Sequence, residues 1–186
     1  MPKVSQEHLD ARRQQIVDAA RARFAGHGFA RTSMADIVTE SGLSNGAIYR
    51  YFTSKDEIVV AVCEQGSEAL PKALTAEAVA AFLAHVRTRA RETGHARLVA
   101  QIYAEAAVSP QLAALVRQQL ATLRATVAAL VPARRRQHAE QIAEGFVALC
   151  VSYSQQLAIR GDLDPAPFTA SLMAIVEGAP DNRATG

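Results

Sequence analysis

Apolar residues recur at helical spacing along almost the whole chain, and no segment alternates in the manner of a strand. Ile16, Ala20 and Phe24 stand at i, i+4 and i+8, and Val17 widens their stripe. Val79, Phe82, Leu83, Val86 and Ala90 make a second stripe. Leu98, Ile102 and Ala106 make a third, and Leu112, Leu115, Val116, Leu123, Val127 and Leu130 a fourth. Local stop and start signals cut this pattern into pieces. Gly26 and Gly28, around His27, close the first helix. Ser33 with Asp36 three residues on is a capping-box variant, Gly42 ends the helix it opens, and Ser44 caps a third helix from Asn45 to about Tyr51. Ser54-Lys55-Asp56-Glu57 is a full S-x-x-E box. Ser109-Pro110 opens a further helix that Pro132 stops, Gly161 ends the next, and Asp164-Pro165 starts the last. The expectation is an all-α chain of roughly nine helices, three short ones followed by a larger bundle.

Composition supports a packed chain. Of 186 residues, 49% are hydrophobic and 20% charged, which places disorder outside the default. The net charge is +2; residues 1–55 carry eight Lys and Arg against five Asp and Glu, a mild excess toward an anionic partner. No apolar run approaches the ~20 residues that span a bilayer. The stretch "MPKVSQEHLDARRQQ" lacks the apolar core of a secretory signal. These features lead us to expect a soluble, cytoplasmic protein with no membrane partner. Cys63 and Cys150 each lie in an apolar helical run and match no paired metal or redox spacing, so they read as reduced core cysteines. The five histidines show no H-x-x-x-H spacing. Neither a metal site nor a cofactor is expected.

The run Gly42-Leu43-Ser44-Asn45-Gly46 supports two chemistries. As G-x-S-x-G it is the nucleophile elbow of a serine hydrolase, with Ser44 attacking a carbonyl carbon. That elbow requires a strand before the serine, a helix after it, and a sheet to present it. The preceding "SMADIVTES" carries a helix cap and helical spacing instead, and the chain has no βα alternation. The other reading is the turn of a helix-turn-helix. Gly42 supplies the turn, and Ile37, Leu43 and Ile48 lock the two helices together. Ser44, Asn45, Gly46, Tyr49 and Arg50 are then left outward on the second helix, whose N-terminal part is the part that meets base edges.

Residues 13 to 62, "RQQIVDAARARFAGHGFARTSMADIVTESGLSNGAIYRYFTSKDEIVVAV", resemble the TetR family of bacterial transcriptional regulators. The family pattern runs F-x-x-x-G-[FY], a [TS]-[TS] cap, a glycine turn, [LI]-Y-x-[YH]-F and S-K-[ED]-[ED]-[LI]. Phe24, Gly28, Phe29, Thr32, Ser33, Ile37, Gly42, Ile48, Tyr49, Tyr51, Phe52, Lys55, Asp56, Glu57 and Ile58 all match. Val38 and Ser41 depart where the family usually has alanine. The C-terminal part matches only loosely, in helix number and in "GDLDP" before the last helix.

The resemblance implies a helix-turn-helix DNA-binding domain over residues 1–53 and a ligand-binding and dimerisation bundle over residues 54–186. It implies a regulator, most simply a repressor released from a palindromic double-stranded operator by a small-molecule effector, with no catalytic residues. A same-fold regulator controlled by a protein partner is the alternative. Thr32, Ser33, Ser44, Tyr49 and Lys55 would grip phosphates. Asn45 and Arg50 would read base edges, and Gly46 would allow close approach. Phe52 reads as core packing. The last two long helices, about 136–160 and 165–178, carry doubled apolar faces and are the candidate homodimer interface. Phe82, Val86, Ile102, Tyr103, Leu123 and Tyr153 are candidate pocket residues, although such stripes more often serve a plain core. Arg134-Arg135-Arg136 reads as a solvated loop or helix start.

Overall fold

A computed structural model describes residues 5–67 and 70–178, and among these every regular element is helical. Two compact units are distinguished by packing: residues 1–68 with 97–119, and residues 69–96 with 120–186.

The first unit opens with α1 (Gln6–His27), which starts well before the stripe at Ile16. The Ser5 side chain caps it by accepting from the His8 N–H. Its polar first half is held by side-chain pairs one turn apart, Gln6 to Asp10 and Gln14 to Asp18, both 2.9 Å. Three more helices follow: α2 (Met34–Ser41), α3 (Asn45–Tyr49) and α4 (Lys55–Ser67). Five residues make too short a helix to persist alone, because nucleation is costly and propagation brief. Packing holds α3 in place. Its Ile48 is fully buried with Ile16, Phe24, Ile37 and Ile58, and each such side chain contributes roughly 1.5–3 kcal/mol on burial. Phe52 is 4% exposed in this core, as its position suggested, and the Phe24 and Phe29 rings meet at 5.5 Å. Leu98 and Ile102 of α6 (His95–Ala106) and Leu112 of α7 (Pro110–Leu130) also join it. Packing therefore groups α4 with α1 to α3, whereas the boundary at residue 53 is the one the family resemblance implies.

The second unit contains α5 (Ala76–Thr93), the later part of α7, a 3-10 turn (Ala133–His138), α8 (Ala139–Arg160) and α9 (Ala166–Glu177). Its core holds Val79, Leu83, Ile142, Phe146, Tyr153, Leu157 and Leu172. The arginine run occupies the 3-10 turn, so α8 begins three residues later than its apolar pattern suggests. Two of the arginines cap other helices. Arg135 donates to the Glu177 carbonyl at 2.7 Å, at the end of α9, and Arg136 to the Ala129 carbonyl at 3.3 Å, near the end of α7. Cations there complement the helix dipole. By length and composition alone the stretch Ala133–Arg160 is apolar enough to cross a bilayer. Phe146, Tyr153 and Leu157 are buried in the unit's own core instead. Neither cysteine forms a disulfide among the described residues; both are half-buried, and burial pushes the Cys150 thiol up to about 12, so it stays protonated.

Arg87 on α5 holds Asp162, in the loop after α8, through two bonds of 2.6 Å. This fork lowers the Asp162 carboxyl from its ordinary 3.8 to about 2. A carboxyl lowered on folding stabilises the fold above its unfolded value and loses that effect as pH falls through the folded one. The contribution is thus whole above about 3.8 and gone below about 2. Replacing Asp162 with Asn is expected to flatten the melting temperature against pH over that interval and to leave its shape near neutrality unchanged. Calorimetric melts across the acid range check this.

Candidate nucleic-acid interface

The turn between α2 and α3 is built from local hydrogen bonds. Gly42 sits at φ +65, the left-handed region that L side chains rarely adopt, and its N–H bonds the Thr39 carbonyl. Ser41 is absorbed locally. Its hydroxyl donates to the Val38 carbonyl at 3.0 Å and accepts from the Leu43 N–H at 3.3 Å. Gln15 of α1 donates to the Ser41 carbonyl at 2.8 Å, tying the end of α2 to α1. Ser44 then caps α3, its oxygen accepting from the Ala47 N–H at 3.3 Å. That leaves the Ser44 hydroxyl proton available to a phosphate oxygen.

With Ile48 turned fully inward, Ser44, Asn45, Gly46, Tyr49 and Arg50 are all exposed, Tyr49 to 47%. Positions 45, 46, 49 and 50 share one face of a helix by spacing. Among the described residues the Asn45 and Arg50 side chains have no hydrogen-bond partner, so their donors and acceptors face solvent unused. A Cβ built on Gly46 meets nothing within 4 Å. Nothing in this chain's own packing requires a glycine there.

The other three expected contacts are engaged within the protein. Thr32 is turned inward, 2% exposed, with its hydroxyl donating to the Gly28 carbonyl at 2.8 Å and its N–H to the Phe29 carbonyl. Ser33 completes the expected capping box: its N–H and hydroxyl both donate to Asp36 Oδ2, at 2.8 and 2.7 Å. These two bonds, with Arg23 nearby, hold the Asp36 carboxyl below its ordinary value, so a negative charge occupies this helix start. Lys55 donates from Nζ to the Phe29 carbonyl at 3.0 Å and lies 4.2 Å from the centre of the Phe29 ring. An ammonium has three donors, so two remain for phosphate. The S-x-x-E box at Ser54 forms with a shift. Ser54 accepts from the Glu57 N–H, but the Glu57 carboxylate reaches past Ser54 to the Thr53 N–H and hydroxyl, at 2.7 and 2.8 Å.

One polar contact here is invisible to a local reading. Gln101 of α6 accepts the Phe29 N–H at 2.9 Å, and the Phe29 carbonyl accepts from Lys55. The turn after α1 is therefore gripped on both sides of one residue, by α6 and by the first residue of α4. Nothing in a lone glutamine 72 positions away signals this.

The elbow reading of Ser44 fails on its flanks, since α2 and not a strand precedes it. Among the described residues no three His, Cys, Asp or Glu side chains cluster as a metal site. Of the candidate pocket residues, Ile102 lies in the first core and Phe82 and Tyr153 in the second, with Val86 and Leu123 packed against the second. Tyr103 is largely buried, and burial beside Cys63 raises its hydroxyl above the ordinary value. An open cleft of about 370 Å³ beside Gly28 and Gln101, and another of about 600 Å³ beside Arg136, are lined by none of these six.

A short recognition helix with an exposed polar face, locked across a glycine turn and buttressed by α1 and α4, defines a helix-turn-helix DNA-binding fold. Residues 16–62 match the family model described as bacterial regulatory proteins, tetR family. The HTH-type transcriptional regulator YfiR of Bacillus subtilis is 45% identical over 65 residues, which is 35% of this chain and 32% of that protein. A transcriptional repressor of Mycobacterium tuberculosis is 41% identical over 37% of this chain and 36% of its own length. The chain thus matches only about a third of the length of these two relatives. The transcriptional regulator BetI of Brucella suis is 30% identical over 95% of this chain and 92% of its own. Among solved structures, GusR of Salmonella enterica superposes with a TM-score of 0.72 at 22% identity, covering 95% of this chain and all of that one. A regulator from Syntrophomonas wolfei gives 0.74 at 15%, covering 94% and all of that chain, and these two similarities speak to the fold. The chain belongs to the TetR family of bacterial regulatory proteins.

Proposed function

We propose that the protein is a homodimeric repressor in the cytoplasm, released from a palindromic operator by a small-molecule effector. The observation that carries DNA reading is the α3 face: Asn45, Gly46, Tyr49 and Arg50 outward, with no side-chain hydrogen-bond partner among the described residues, and Ile48 fully buried behind them. Asn45 and Arg50 take the base edges; Ser44, Tyr49 and Lys55 take phosphates, and the start of α2 at Ser33 takes one through its backbone. Thr32 supports that start from inside. Repression accords with the names of two relatives, the Mycobacterium tuberculosis repressor and the repressor AcnR of Corynebacterium diphtheriae.

A single α3 offers few base contacts. A two-fold dimer sets two of them in successive major grooves, ~34–36 Å apart. Residues 1–53 read DNA and residues 54–186 dimerise and bind effector. The dimer forms through α8 and α9, where Leu149, Val151, Phe168 and Ile175 remain only partly buried in the single chain and Ile159 is 84% exposed. The grip of Gln101 and Lys55 on Phe29 supports coupling, because a shift of α6 or α4 is felt at the turn that starts the DNA-binding helices. An effector shifts the equilibrium only by its difference in affinity between the two arrangements.

Selection of bound duplexes from a random DNA pool at near-physiological salt tests this reading. Enrichment of a palindrome with half-sites about one helical turn apart is the expected result. Absence of enrichment, at low salt as well, overturns it. A metabolite panel scored by melting temperature and by loss of operator affinity then tests release; a panel that moves neither favours control by a protein partner.

A further inference from the structure

The guanidinium of Arg13 lies over the Phe52 ring, 5.1 Å from its centroid. Phe52 follows α3 directly: its N–H bonds the Ile48 carbonyl at 3.0 Å, so the ring moves with the recognition helix. In sequence it stands between Arg50 and Lys55, both on the proposed DNA-facing segment. The buried ring belongs to the core of this unit and carries an arginine from α1 over it.

The other arginines of α1 are occupied. Arg12 donates to Gln15 at 2.9 Å. Arg21 pairs with Asp18 at 3.1 Å, and Arg23 with Asp36 at 3.3 Å and Glu40 at 3.9 Å. Arg13 is exposed, and among the described residues neither a carboxylate nor a carbonyl takes its N–H groups. The contact over the ring is made through the charge of the guanidinium and consumes none of its N–H donors, whose planar fork fits a phosphate. The ring also fixes the fork before anything binds, which reduces the rotamer entropy lost on contact.

We propose that Arg13 is a further phosphate contact, carried by α1 and positioned by Phe52 at the C-terminal end of the recognition helix. It rests on the reading of α3 as the DNA-facing helix. Arg13 is then a sequence-independent contact, adding to affinity on any duplex and nothing to base choice.

The test is the salt dependence of binding to the selected operator and to a scrambled duplex, for wild type and Arg13→Gln. Each neutralised phosphate contributes about 0.9 to the slope of log affinity against log salt, so two protomers losing one contact each lower it by about 2. The expected result is that loss, with equal weakening on both duplexes and an unchanged melting temperature. Arg13→Met, which keeps an apolar stem over the ring, gives the same slope loss if the Gln variant folds poorly. An unchanged slope in both variants overturns the proposal, even if affinity falls, because a purely structural role moves affinity without removing a phosphate. Failure of the wild type to bind any duplex is a different outcome: it removes the DNA-facing reading of α3, and this inference with it.

Discussion

Replacing Asn45 and Arg50 together with alanine is expected to abolish discrimination between operator and scrambled DNA while leaving the fold intact. Both side chains are exposed on α3 and support no core contact, so truncation removes little from stability, within about 0.5 kcal/mol for surface substitutions. Their loss on DNA is larger. A good side-chain pair on a base edge contributes about 1–3 kcal/mol of discrimination, and the double variant loses two such pairs per half-site. On a two-fold site that exhausts most of the roughly 4–10 kcal/mol that separates specific from non-specific binding. Residual binding should survive, because Ser44, Tyr49, Lys55 and the α2 start act on the backbone, and it should keep most of its salt dependence. Titration of both duplexes at two salt concentrations, with a melting curve for each protein, checks the result. A variant that still prefers the operator would mean that α3 does not read bases. A variant that melts early would mean that the face is structural.

The features legible in the sequence are those settled within a few residues. Gly28, Gly42 and Gly161 end helices where the pattern placed them, and Ser33 with Asp36 forms its box, because capping is a contest between neighbours along the chain. The outward face of α3 was legible for the same reason, since one inward isoleucine fixes the orientation of a five-residue helix. What was not legible depends on partners far along the chain. Thr32 looks like any exposed cap residue until the backbone folds over it, and its hydroxyl then meets Gly28. Lys55 meets Phe29 across 26 residues and Gln101 meets it across 72. The arginine run reads as solvated, yet Arg135 caps a helix whose last residue is 42 positions away. Polar residues on helix faces carry no periodic signal that names their partner. The early start of α1 was missed because its first turns are polar and rest on Ser5 and on pairs such as Gln6 with Asp10, which leave no apolar stripe.

Gly46→Leu is expected to separate folding from function most sharply. A glycine inside a helix costs about 0.5–1 kcal/mol relative to alanine, and leucine is a strong helix former. Gly46 does not lie at a positive φ, and a Cβ there meets nothing within 4 Å. The protein alone should therefore be as stable as wild type or slightly more so. Gly42, four residues earlier, serves as the internal contrast. A Cβ there also meets open space, but its φ of +65 strains any L side chain, so Gly42→Leu should lower the melting temperature. If α3 lies in a groove, the two substitutions part company on DNA. Gly46→Leu places a branched side chain between the helix backbone and the bases, and its neighbours Asn45 and Arg50 lose their reach together. Operator affinity should then fall by on the order of 100-fold or more, beyond removal of any one polar contact. Gly46→Ala should fall between, because one methyl intrudes less. Melting curves and operator titrations on the three variants supply the comparison. A Gly46→Leu protein that binds the operator like wild type would place the groove elsewhere, whereas a graded loss at undiminished stability identifies position 46 as the closest approach of this backbone to DNA.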